Sequence, residues 1–197
     1  GAAENTASRK GKKMNKRELV SEKKKGLTIS DVILIGVLLA AGAVLKFFVG
    51  SLFSAGMKPN FIIAMYCLTI LLIRPRLLEA AVIGLLAGAI SQFFPGTPYI
   101  NLISEPVGAV VMALLMALPL SAKRFSLKPV VATFLSTLAS GFTFIGMMYL
   151  LFYAGADIVP TPLGVFMGII FGTAAVNALI VQVLYVPLKL VLKKEDA

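Results

Sequence analysis

The sequence predicts an all-α fold, an integral membrane bundle of six transmembrane helices with both termini in the cytoplasm. Three observations lead there. Of 197 residues, 58% are hydrophobic and 14% charged, with a mean hydropathy of +0.92. Soluble domains run at roughly 45–50% apolar and about 25% charged, so a water-facing surface could not be covered. Six apolar runs are separated by turn residues, and the basic residues gather at alternate breaks between them.

The elements follow in order. Residues 1–28 are polar and basic, with nine of the 19 basic residues between Arg9 and Lys25. The apolar run behind them carries no small-residue cleavage site, so the segment is expected to be a disordered cytoplasmic tail rather than a secretory signal. Met14 reads as a native start, which makes 1–13 an expression remnant. The six-helix domain is expected over 29–193, with 194–197 a second cytoplasmic tail. The first helix is predicted from Ser30, as N-cap before Asp31, to Phe48. The second opens at Pro59 and stops before Arg74-Pro75-Arg76. The third covers Leu77–Phe93, halted by Phe94-Pro95-Gly96-Thr97-Pro98. The fourth covers Leu102–Leu120, the fifth Leu127–Tyr153 and the sixth Pro162–Leu192. Pro59 and Pro162 suit a first helical position, where the missing N–H costs nothing.

Charge checks the count. With the amino terminus inside, seventeen of the 19 basic residues fall on the cytoplasmic side and only Lys46 and Lys58 outside. An odd number of spans would put a basic cluster on the wrong face. The second run is short: some 14 residues reach roughly 21 Å against a hydrocarbon layer of roughly 30 Å. It must be buried among its neighbours, or the loop before it must dip into the membrane around a cavity.

Several function classes are excluded. There is no histidine, and the lone Cys67 sits in an apolar run, so no His triad and no cysteine-based metal cluster can form. Walker A, Gly-x-Ser-x-Gly and zinc-ligand spacings are absent. No enzyme activity, cofactor or metal is expected. The basic run at the amino terminus reads as a topology signal attracted to anionic lipid, not as a nucleic-acid site.

Ionisable groups near a span are costly and so are site candidates. Lys46 is expected to snorkel from its helix end and Asp157 to sit hydrated in a loop. Lys58 and Glu105 each adjoin a proline that opens or interrupts a span. With Asn60, Asn101, Ser104, Thr143 and Asn177 they outline an outward pocket walled by Phe47, Phe53, Phe93, Phe94, Tyr99, Phe142 and Phe144. Lys58 would meet a carboxylate, Glu105 an ammonium or N–H donor, and the rings a planar group. A Lys58–Glu105 ion pair that closes the bundle is the competing reading. Glu79 is expected to pair with the Arg74/Arg76 turn. Small residues recur at four-residue spacing in helix one (Gly36, Ala40, Ala43), helix three (Ala80, Gly84, Gly88) and helix six (Gly164, Gly168, Gly172). Such stripes let helices pack closely in lipid; for helix one, docking of a partner protein is the alternative.

At this point the sequence resembles a family. Gly56-Met57-Lys58-Pro59-Asn60 is similar to the Gly-Met-Lys-Pro-Asp stretch of the tryptophan-transporter family of S components. These are the substrate-binding subunits of energy-coupling factor (ECF) importers. Phe94-Pro95-Gly96, Asn101-Leu102-Ile103-Ser104-Glu105-Pro106, Ser140-Gly141 and Val176-Asn177 follow in the same order. Two sites depart from the pattern: Asn60 replaces an aspartate, and Ser104-Glu105 replace Asp-Lys. The resemblance implies a plasma-membrane subunit that captures a small-molecule micronutrient, tryptophan or a related aromatic compound. It further implies docking to a transmembrane coupling subunit and two cytosolic ATPase subunits through Gly36, Ala40 and Ala43. A vitamin such as cobalamin or pantothenate, a stand-alone ion-coupled transporter and a non-transporting scaffold are the alternatives.

Overall fold

The computed structural model describes residues 26–52, 60–97, 99–118 and 127–195. Among them lie six α-helices and no strand: α1 Ile29–Leu52, α2 Phe61–Ile73, α3 Leu77–Ser91, α4 Asn101–Ala117, α5 Lys128–Tyr153 and α6 Leu163–Glu195. The expected amino-terminal tail up to residue 25 and the loop bearing Lys58 and Pro59 lie outside the described residues.

Local chemistry sets the helix ends. The cap of α1 is Thr28, not the expected Ser30. Asp31 Oδ2 accepts from the Thr28 N–H and hydroxyl at 2.8 Å each, and the Asp31 N–H donates back to Thr28 Oγ1 at 3.2 Å. A Thr three residues ahead of an acid satisfies two orphan donors reciprocally, which Ser30 cannot do from inside the first turn. Helix α2 stops where Arg74 turns left-handed (φ 49°), its N–H bonding Ile70 O, with Pro75 next. Glu79 is a helix cap: its Oε2 accepts the Arg76 backbone N–H at 2.7 Å and closes the first turn of α3. Helix α3 ends two residues short of Phe93. There Gln92 Nε2 donates to Gly88 O and its Oε1 accepts the Tyr99 N–H, holding the turn closed.

Polarity runs inside out. Exposed positions carry Ile29, Val37, Leu78, Leu150, Val183 and Leu190, while Thr69, Ser104, Glu105, Ser136, Ser140 and Asn177 are buried. Hydroxyls and amides have turned inward to find partners, and the apolar coat faces outward. That distribution suits a protein dissolved in lipid. Three helices, α1, α5 and α6, are long and apolar enough to cross a membrane; α2, α3 and α4 are shorter apolar helices.

Helix α2 is the axis. It packs against all five other helices, and every residue from Phe61 to Leu71 is buried. The remaining helices wrap it as sequential neighbours: α3 on α4, α4 on α5, α5 on α6, and α1 on α2. Glycines permit the closest crossings. A Cβ at Gly84 would stand 2.6 Å from Pro106 Cα and 2.7 Å from Glu105 O, and one at Gly42 would stand 2.9 Å from Met65 Cγ. The α3 stripe is therefore a packing seam against α4. At Gly164 and Gly168 the α6 stripe is not such a seam: nothing lies within 4 Å of a Cβ at either. Gly36 likewise meets nothing, and Gly36 and Ala40 are exposed while Ala43 is half-buried.

Candidate binding site

A cavity of about 280 Å³ opens at one end of the bundle, near the lower edge of the ~300–1,000 Å³ usual for small-molecule sites. It lies over the amino-terminal end of α2, beside the start of α4, the carboxy-terminal half of α5 and the amino-terminal half of α6. The 95–97 turn and residues 159 and 161 complete its rim. Arg74, Arg76, Lys128 and Lys189 belong to the opposite end.

Glu105 is the polar centre. It is 1% exposed, yet both carboxylate oxygens are engaged: Asn60 Nδ2 donates to Oε1 at 2.5 Å and Ser140 Oγ to Oε2 at 3.1 Å. The acid also stands at the α2 amino terminus, where the helix dipole favours a negative charge. Sequence dictates its position. Pro106 follows inside α4 and removes the N–H that would have bonded the carbonyl one turn back. Gly84 lets the α3 backbone approach this same stretch of α4 closely. Below, Asn177 Nδ2 donates to the Asn60 carbonyl at 3.2 Å and lies 3.5 Å from Thr137 Oγ1, tying α2, α5 and α6 together. A Ser/Thr stripe on α5 supplies the rest, with Ser136 Oγ donating to Gly108 O at 2.8 Å. Gly108 is required there because the Tyr66 hydroxyl fills the place a Cβ would take.

Of the residues expected to form the site, Asn60, Asn101, Ser104 and Glu105 line the cavity. Asn177 sits beneath it, bracing Asn60 rather than facing the space. Phe142 is 43% exposed and stacks edge-on against Phe171 at 6.3 Å, away from the lining. Lys58 and Phe53 lie outside the described residues. Thr143 spends its hydroxyl on the Ala139 carbonyl of its own helix. Phe47, Phe93 and Tyr99 are exposed; Phe144 lines the cavity and is joined by Phe166, their rings 6.4 Å apart.

Lys46 overturns its expected snorkelling role. It faces the cavity, with Nζ 3.4 Å from Ser91 Oγ and 5.0 Å from the Phe94 ring centroid. The signal was legible. Ile35, Leu38, Leu39 and Gly42 form the buried stripe of α1, and Lys46 is its next member four residues on. Lys46 and Glu105 act on one another electrostatically. The cavity thus has a cation and an anion at its polar end and an apolar end of Phe144, Met148, Phe166, Ile169 and Ile170. Three buried oxygens of lining residues have no hydrogen-bond partner among the described residues: Asn60 Oδ1, Ser104 Oγ and Thr173 Oγ1. Buried polar atoms are seldom left unpaired, so these are places for a ligand or water to bond.

The family model described as tryptophan transporter TrpP matches residues 28–193. The chain belongs to this tryptophan transporter family. TrpP is a family of the S-component type, in agreement with the resemblance read from the motifs. Membership makes the chain a membrane transport protein, and the match covers every described helix up to the last turn of α6. No curated protein and no solved structure matches the chain. Asn60 and Glu105, two of the three positions at which the motif resemblance breaks, are in direct contact.

Proposed function

We propose that this protein is the substrate-binding subunit of an ECF-type importer, set in the plasma membrane as six spans with both termini cytoplasmic. Its ligand is tryptophan or a closely related aromatic compound. The observation that carries the reading is the cavity itself: charged and amide groups at one end, paired phenyl rings at the other. A planar, partly apolar solute with polar substituents fits such a division. The cavity lies at the end away from Arg74, Arg76, Lys128 and Lys189, and basic residues prefer the cytoplasmic face. It therefore opens outward, where an importer meets its cargo.

Energy comes from partners: a transmembrane coupling subunit and two cytosolic ATPases. The exposed Gly36 and Ala40 give α1 a smooth outer face for the coupling subunit, since small residues allow close helix approach in lipid. Two measurements test the reading. Mass spectrometry of the small molecule that co-purifies with the protein should return an indole or related aromatic compound. Uptake of that compound into proteoliposomes should require the coupling module and internal ATP; uptake by this chain alone under an ion gradient would defeat the assignment.

A further inference from the structure

Polar atoms continue beneath the cavity. On α5 and α6 its lining residues nearest the Arg74 end of the bundle are Thr137 and Thr173. One turn further in stand Thr133 and Asn177, both buried and neither part of the lining. The Thr133 hydroxyl and the Asn177 side-chain oxygen have no hydrogen-bond partner among the described residues, and nor has the Thr173 hydroxyl above them. Rotation does not relieve Asn177. Its Nδ2 is held by the Asn60 carbonyl at 3.2 Å and lies 3.5 Å from Thr137 Oγ1.

The surroundings are polar too. Thr137 Oγ1 donates to the Thr133 carbonyl at 2.9 Å. On α2, Cys67 Sγ donates to Ser136 Oγ at 3.3 Å, and Thr133 stands beside it. A seam of hydroxyl, amide and thiol groups thus runs between α2, α5 and α6, where side chains such as Ala132, Ala174 and Ala178 are small and buried.

A buried oxygen with no partner is costly, and native proteins satisfy such groups with bound water. Water matches this set. Its two O–H bonds donate to an amide oxygen, and its own oxygen accepts from a threonine hydroxyl. A metal ion suits the set less well, because no seam residue carries a charge to balance it.

We infer that bound water occupies this seam, continuous with the cavity at Thr173 and reaching Cys67. The Asn60–Glu105 pair then has water beneath it as well as at the mouth. A solute that fills the cavity need not dry the buried carboxylate completely. The inference holds whatever the solute is.

The test uses a native reporter. Cys67 is the only cysteine of the chain, so its S–H stretch is a single infrared band that moves when deuterium replaces the proton. The full purified chain is transferred in detergent to D2O, and the thiol band is followed beside the α2 backbone amides, the latter by mass spectrometry. The thiol should exchange at least roughly tenfold faster than the amides of residues 66–68, because water reaches it without opening the helix. Thiol and amide exchange in step, or a thiol protected as long as the amides, overturns the seam. This measurement decides the matter even where a variant fails to fold. The double variant Thr133→Val, Thr173→Val keeps side-chain shape and removes two hydroxyls. It should slow thiol exchange and lower the thermal midpoint, since water bonds are lost. In a dry seam the same change deletes two unpaired polar atoms and raises the midpoint. A raised midpoint, or unchanged thiol exchange in the double variant, therefore also overturns the inference.

Discussion

Asn60, the residue just before the buried α2, donates its side-chain N–H to Glu105 on α4 at 2.5 Å, across 45 positions of sequence. One contact therefore joins the central helix to the proline-bearing start of another. It does so at the floor of the cavity, where a change of charge is felt by both fold and ligand.

The substitution Asn60→Asp sets a second carboxylate against Glu105 where a donor had been. Two buried acids in contact disfavour one another, and the loss should reach about 1–3 kcal/mol. The thermal midpoint in detergent should fall. Adding Glu105→Gln to the same chain should recover most of it, because the new amide can donate to the introduced carboxylate. No recovery would show that the two positions do not act as a pair.

The two glycine stripes should respond oppositely. At Gly84 a methyl group would press on Pro106 and the Glu105 carbonyl, both backbone, so Gly84→Ala should destabilise by about 1–3 kcal/mol. Gly168→Ala meets empty space and should leave the melting curve unchanged or slightly raised. Equal effects at both sites would contradict the packing described for α3 and α6.

Phe144 and Phe142 make a matched pair on α5. Phe144→Ala removes an aromatic wall and should weaken ligand binding by about 0.5–1.5 kcal/mol beyond the lost area. Phe142→Ala, on the outward face, should leave the ligand titration where it was. A reversed order would move the site to another face of the helix.

Gly36→Leu and Ala40→Leu add bulk on the exposed face of α1. Ligand binding by the isolated chain should be unaffected. ATP-driven uptake with the coupling module should be lost, and normal uptake would place the docking face elsewhere.

The helix order and much of the cavity floor were readable in the sequence, for a physical reason. Burying a polar group in lipid is so costly that Asn60 and Glu105 could scarcely be there without partners. Direction was harder to read. Phe142 and Phe144 sit two residues apart, so a turn of 3.6 residues sends them to different faces, and nothing in composition says which faces in. Lys46 lies near a helix end, where snorkelling is the ordinary outcome, and only the register of Ile35, Leu38, Leu39 and Gly42 shows it aimed inward. Gly164 and Gly168 share the spacing of Gly84 and Gly88 but look outward. Spacing identifies a face of a helix without naming its neighbour.

The brevity of α2 has a consequence of its own. Thirteen residues give about 20 Å of helix, some 10 Å less than the hydrocarbon layer. Among the described residues the cavity lies at this end of α2, with Asn60 and Ile63 in its lining. In a bilayer a helix this short cannot reach both surfaces, so a solute that meets Asn60 and Glu105 leaves water before it arrives.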